Sequence, residues 1–116
     1  MKGFFKFGCP IIKLSIENKE IEILLDTGFN GHIMLSENII NELNLEKIGT
    51  SDYSTASGED KITEVFKAKI KFFDEEIEIP ILSTTANISL AGMELFYNCK
   101  IIIERQKDLM EIIKTI

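Results

Sequence analysis

The sequence predicts an all-β domain with one or two short helices, and three observations predict it. Apolar and polar residues alternate with a period of two along most of the isoleucine-rich stretches, one segment alone carries apolar residues at helical spacing, and polar clusters separate the alternating runs. A chain of 116 residues with 45% hydrophobic content is expected to fold as one domain over residues 1–116. It can bury a core without help from disulfides or metal.

The elements follow in order. Ile12, Leu14 and Ile16 share one face, with Lys13, Ser15 and Glu17 on the other. After a turn at Asn18-Lys19, the residues Ile21, Ile23 and Leu25 alternate with Glu20, Glu22 and Leu24, which makes a hairpin. Its second strand runs straight into Asp26-Thr27-Gly28. Beyond the loop Phe29 to His32, the apolar segment Ile33-Met34-Leu35 leads to Ser36, a good N-cap, and Glu37 suits the positive end of a helix dipole. Ile39, Ile40 and Leu43 then fall at helical spacing, so a short helix is expected over Glu37 to Leu43.

Residues 49–61 are polar and contain glycine, and Ser57-Gly58-Glu59-Asp60 reads as a hairpin tip. Alternation resumes from Ile62 to Phe73. The acidic turn Asp74-Glu75-Glu76 precedes a further strand from Ile77 to Leu82, in which Pro80 lacks an N–H and so signals an edge strand or a strand end. Phe66, Phe72 and Phe73 read as core or cleft wall. Lys100 to Glu104 and Leu109 to Ile113 flank the polar turn Arg105 to Asp108 as a last hairpin.

Charge and composition exclude several functions. The net charge is −6, and the 13 Lys and Arg residues are scattered, so nucleic acid is not an expected partner. Lys6 and Lys13 interrupt the apolar stretch Gly3 to Ile12 before it reaches signal-peptide length. No run approaches the ~20 apolar residues of a membrane span, which gives the expectation of a cytoplasmic protein without a membrane partner. Cys9 and Cys99 have no second thiol or histidine at ligand spacing, so no metal site is expected. They read as buried or partly buried thiols in a reducing compartment. His32 is the single histidine, which excludes two-imidazole mechanisms within one chain. It reads as a surface or loop residue, since neighbours on a strand point to opposite faces.

Asp26 is the residue with chemistry to explain. An ionisable carboxyl directly after Ile23-Leu24-Leu25 is costly to desolvate without a partner or a purpose. Thr27 adds a hydroxyl, and Gly28 lets the chain turn sharply. Taken alone, the tripeptide favours a strand-ending turn in which the carboxylate accepts backbone amides. A second feature lies downstream, where Ile88-Ser89-Leu90-Ala91-Gly92-Met93-Glu94-Leu95 places an apolar pair before a glycine and a helix-capable run.

Taken together, "ILLDTGFNGHIML", the helix "SENIINELNL", the polar hairpin around "TASGE" and "ISLAGMELF" resemble, in order and spacing, the retropepsin-like aspartic proteases, especially their small single-domain microbial members. The resemblance spans about Pro10 to Glu104. It implies a retropepsin-like closed β-barrel and an aspartic endopeptidase acting on a peptide or protein substrate, with no cofactor. Asp26 resembles the catalytic aspartate. Thr27 resembles the residue whose hydroxyl crosses the dimer axis, and Gly28 the glycine whose carbonyl meets substrate backbone. Phe29 and Asn30 continue that substrate-facing loop. Ala56, Ser57 and Gly58 resemble the flap tip that closes on a bound peptide. Leu90, Ala91 and Gly92 would support the active loop from behind.

One carboxyl cannot serve as general base and general acid at once. Two carboxyls about 3 Å apart share one proton and divide the roles, so the resemblance implies a homodimer that pairs Asp26 with its symmetry mate. The chain departs from the retroviral pattern at Phe29 and Asn30, where a small residue and then an acid are usual. It departs again at Met93 and Glu94, where arginine is usual. The intersubunit ion pair therefore does not transfer, and the terminal strands Ile11 to Ile16 and Lys100 to Ile113 are the candidates to hold a dimer. Phe29 offers no hydroxyl to the carboxylate, which places the expected activity optimum nearer neutral pH than in acid proteases. The alternative reading is a non-catalytic retropepsin-like module that binds peptide or merely dimerises.

Overall fold

In the computed structural model, which describes residues 1–54 and 57–115, ten strands and one α-helix form two sheets. The strands are β1 (Phe4–Lys6), β2 (Cys9–Ile16), β3 (Lys19–Leu25), β4 (Ile33–Ser36), β5 (Glu46–Ser54), β6 (Asp60–Phe72), β7 (Glu75–Thr84), β8 (Leu90–Ala91), β9 (Cys99–Glu104) and β10 (Leu109–Lys114). The helix α1 covers Glu37–Leu43. Eight strands make one sheet in the order β1-β2-β3-β8-β4-β7-β6-β5, and β9 pairs with β10 separately.

Three of the hairpins turn on two residues with positive φ: Phe7-Gly8, Glu17-Asn18 and Phe73-Asp74. Such turns match the right-handed twist of the strands they join, at the cost of holding a side chain in the left-handed region. The turn expected at Asn18-Lys19 thus lies one residue earlier. Lys19 already pairs with Ile16.

The alternation seen in the sequence is the burial pattern. Ile12, Leu14 and Ile16 of β2, Ile23 and Leu25 of β3, and Ala68, Ile70 and Phe72 of β6 form the main core with Ile33, Leu35, Ile79 and Ile81. Phe66 and Phe73 pack against it. Helix α1 starts where expected: the Ser36 hydroxyl accepts the Ile39 amide, Ile40 enters the core, and Asn44 ends the helix in the left-handed conformation.

Sheet closure is narrower than the expected closed barrel. The sheet curls until β2 also meets β6, over only Ser15↔Lys71 and Ile16↔Ile70. Pro80 lies in a strand with neighbours on both sides, but β4 pairs only from Ile81 onward, so the missing N–H falls where β7 has β6 alone beside it. Two further expectations change. Cys9 is exposed rather than buried, because it opens β2 beside the Phe7-Gly8 turn. Residues 93–95, read as helix-capable, instead begin a run of consecutive turns that reaches residue 98. No helix among the described residues is long and apolar enough to cross a membrane.

Candidate active site

Asp26 stands at the end of β3, where the chain leaves the sheet and returns at Ile33 as β4. The two-residue strand β8 is inserted between them. It runs parallel to β3 through Leu24↔Leu90 and Leu25↔Ala91, and antiparallel to β4 through Ile33↔Ala91 and Met34↔Leu90. Both ends of the loop 26–32 are therefore fastened to the same two residues. The Asp26 amide donates to the Ala91 carbonyl at 2.9 Å, and the Leu24 amide to the Ser89 carbonyl at 2.9 Å.

The chain beyond β8 then holds the loop from the inside. The Gly92 amide donates to the His32 carbonyl at 2.8 Å, the Met93 amide to the Phe29 carbonyl at 2.9 Å, and the Glu94 amide to the Gly31 carbonyl at 3.1 Å. Loop carbonyls that would otherwise lose their partners on burial are satisfied in this way. A bulkier residue cannot replace Gly92, since a Cβ there would meet the carbonyl oxygens of both Gly31 and Phe29.

Phe29 points inward. It is 3% exposed and packs in a second apolar cluster with Met34, Val65, Leu82 and Leu90, with Leu24 alongside. The ring also lies against Gly31, where a Cβ would stand 2.6 Å from it. The resemblance sets Phe29 in the substrate-facing loop, yet its ring fills core space. Because Val65 belongs to β6 and Phe29 to the loop, the same cluster ties the β5–β6 hairpin to the Asp26 loop.

The loop presents the remaining residues to solvent. Thr27, Gly28 and Asn30 are exposed, and Asp26 is half-buried. The Asp26 carboxylate accepts the Gly28 amide at 2.9 Å, the local turn that the tripeptide allows on its own. The Thr27 hydroxyl has no hydrogen-bond partner among the described residues. Ser57 and Gly58 sit at the exposed tip of the β5–β6 hairpin, beyond its last paired residues Ser54 and Asp60. Gly58 has φ +84° and open space around its Cα. Ala56 lies outside the described residues.

His32, at the far end of the loop, is partly buried. That burial lowers its pKa below 6.5, and the nearby Glu94 carboxylate opposes the shift. Among the described residues no three His, Cys, Asp or Glu side chains gather closely enough to hold a metal ion.

The resemblance sets Leu90, Ala91 and Gly92 behind the Asp26 loop, but the bonds that join the two are not legible in side chains. The acceptors are backbone carbonyls of Phe29, Gly31 and His32, and the donors include the Met93 and Glu94 amides, none of which depends on side-chain identity. Gly31 is the one signal that was legible: a residue without a Cβ two positions after a buried aromatic marks where the ring needs room.

No protein-family model matches the sequence, and no curated protein matches it. Solved structures do. The chain is similar to a retropepsin-like aspartic protease from Rickettsia conorii, with 26% identity and a TM-score of 0.66 over 94% of this chain and 85% of that one. EIAV protease in complex with the inhibitor HBY-793 matches with 20% identity and a TM-score of 0.65, over 77% of this chain and 86% of that one. Simian foamy virus (mac) protease matches with 17% identity and a TM-score of 0.52, over 71% of this chain and 86% of that one. The chain has the retropepsin-like fold.

Proposed function

From a retropepsin-like fold that holds one aspartate in a fastened surface loop, we propose that the chain is an aspartic endopeptidase whose active site forms between two copies. In this reading the paired Asp26 carboxyls hold a water between them. One takes a proton from the water as it attacks the peptide carbonyl, and the other protonates the carbonyl oxygen. Thr27 and Gly28 would meet their counterparts and the substrate backbone. Phe29, buried beneath them, would fix the loop rather than touch substrate, and Asn30 would face the peptide. Leu90, Ala91 and Gly92 would keep the loop rigid, and the hairpin tip at Ser57 and Gly58 would close over the bound chain.

The observation that carries this reading is the β8 insertion. It clamps both ends of the loop to Leu90-Ala91 while leaving Asp26, Thr27 and Gly28 accessible. A mere strand-ending turn needs no such double fastening. The free thiols of Cys9 and Cys99 support the reducing, cytoplasmic setting expected for it.

The test is cleavage of a peptide library by the purified protein and by Asp26→Asn. Cleavage by the wild type, and its loss in the variant with self-association intact, supports the protease. A wild-type protein that binds peptides but cuts none makes this a binding module, a reading that the missing acid at Asn30 and missing arginine at Met93 favour.

A further inference from the structure

The eight-stranded sheet is apolar on both faces. Leu25, Ala91, Ile33 and Ile81, registered in turn across β3, β8, β4 and β7, face the main core. One residue along each strand the side chains point the other way. There Leu24 pairs with Leu90, Leu90 with Met34, Met34 with Leu82 and Leu82 with Val65, so a row of apolar side chains crosses the sheet from β3 to β6. The second cluster consists of this row and Phe29, which among the described side chains is its one member from outside the row.

The row opens on the same side as Asp26. The Asp26 amide still bonds to the Ala91 carbonyl at 2.9 Å, so the phase of β3 holds through Asp26, and Leu24, two residues earlier, leaves the sheet on the same face. Two residues on from Met34 and Leu82, away from Asp26, the row gives way to the registered polar pair Ser36 and Thr84. Phe29 fills the apolar strip that remains. Its ring is 3% exposed, and a Cβ on either Gly31 or Gly92 would stand 2.6 Å from it. A ring wedged between two stretches of backbone is not free to swing aside and admit another side chain.

An extended peptide laid over Asp26 turns alternate side chains toward this face, about 7 Å apart, which is also the step from Asp26 to Leu24. A side chain within two residues of the attacked carbonyl therefore comes down on the row. We propose that Phe29 already occupies that place, so that the site takes peptides carrying glycine or alanine there. Phe29 sets this preference by exclusion. Where an open apolar pocket rewards each added methylene by about tenfold or more, a strip filled by the protein's own ring turns the preference against bulk. The proposal deepens the aspartic-endopeptidase reading and rests on it, but the filled row belongs to one chain and needs no partner to form.

Paired peptides that differ only by alanine or leucine, at each of the two residues on either side of the cut bond, test it. kcat/KM is measured at low temperature for the wild type, Phe29→Ala and Phe29→Leu. The ratio of two peptides within one protein does not depend on how much of that protein is folded, so the packing lost by the variants leaves it intact. The wild type should favour alanine over leucine by about tenfold or more at one position, Phe29→Ala should lose that preference, and the milder Phe29→Leu should lose part of it. A wild type that cuts leucine peptides as well as alanine peptides at every position, or folded variants with an unchanged ratio, overturns the filled strip while the protease stands. A wild type that cuts nothing overturns the protease, and the same pairs are then compared by binding affinity. Tighter binding of the alanine peptides, levelled in the variants, upholds the filled strip; equal affinities or no binding overturns it as well.

Discussion

Gly92 lies so close beneath Phe29 that a Cβ built on it would stand 2.6 Å from the Phe29 carbonyl oxygen and 2.6 Å from the ring. The loop carrying Asp26 and the turn after β8 are therefore in direct backbone contact. Backbone oxygens cannot swing aside as a side-chain tip can, so Gly92→Ala must displace the loop. An overpacking cost of about 2–3 kcal/mol is expected, measured as a lower midpoint in denaturant unfolding. An unchanged midpoint would show that the loop yields freely and that β8 does not fix Asp26.

Asp26 has two separable duties. Its carboxylate accepts the Gly28 amide at 2.9 Å, and under the proposed function it also handles protons. Asparagine keeps the first duty and removes the second, because its side-chain carbonyl still accepts; alanine removes both. Asp26→Asn should lose cleavage with near wild-type stability, whereas Asp26→Ala should lose cleavage and about 0.5–1.5 kcal/mol of stability. Equal stability of the two variants would mean that the Gly28 bond contributes nothing to the turn.

Phe29 separates a packing role from a substrate role. At 3% exposure among Met34, Val65, Leu82 and Leu90, its removal leaves a void, and Phe29→Ala should cost about 3–5 kcal/mol. Chemical denaturation gives the stability change, and peptide KM at low temperature gives the substrate role. A variant of normal stability with an altered KM would move Phe29 from the core to the cleft.

The fold is legible in the sequence where burial is one-sided. Ile12, Leu14 and Ile16 alternate because β2 has one face in the core, and Ser36 and Ile40 announce α1 because capping and spacing are local. It is less legible where local chemistry does not decide. Strand β1 was hidden because Phe7, with φ 52° and its side chain 97% exposed, is not a residue that signals a turn. Strand β5 shows no alternation because its residues 46–52 all stand exposed, Ile48 included. Asp26 and Gly92 were legible as residues that need a reason. The β8 insertion that joins them was not, since two residues are too few for a period and the joining groups are backbone.

His32 gives the fold a pH dependence with a definite sign. Burial lowers its pKa below 6.5, and the Glu94 carboxylate pulls the other way. The unfolded chain takes up this proton near the ordinary value of about 6.5, while the folded chain takes it up only at lower pH. Between those two points the unfolded state holds more protons, so stability falls as pH drops through that window and is complete above it. His32→Gln removes the titrating group, and its unfolding free energy should decline less than that of the wild type between about pH 7 and pH 5. Glu94→Gln removes the opposing attraction, lowers the folded value further and should steepen the decline. Parallel curves for the wild type and His32→Gln would show that the ring is solvated in the folded loop, and with it that the Gly92–His32 contact leaves the end of the loop open to water.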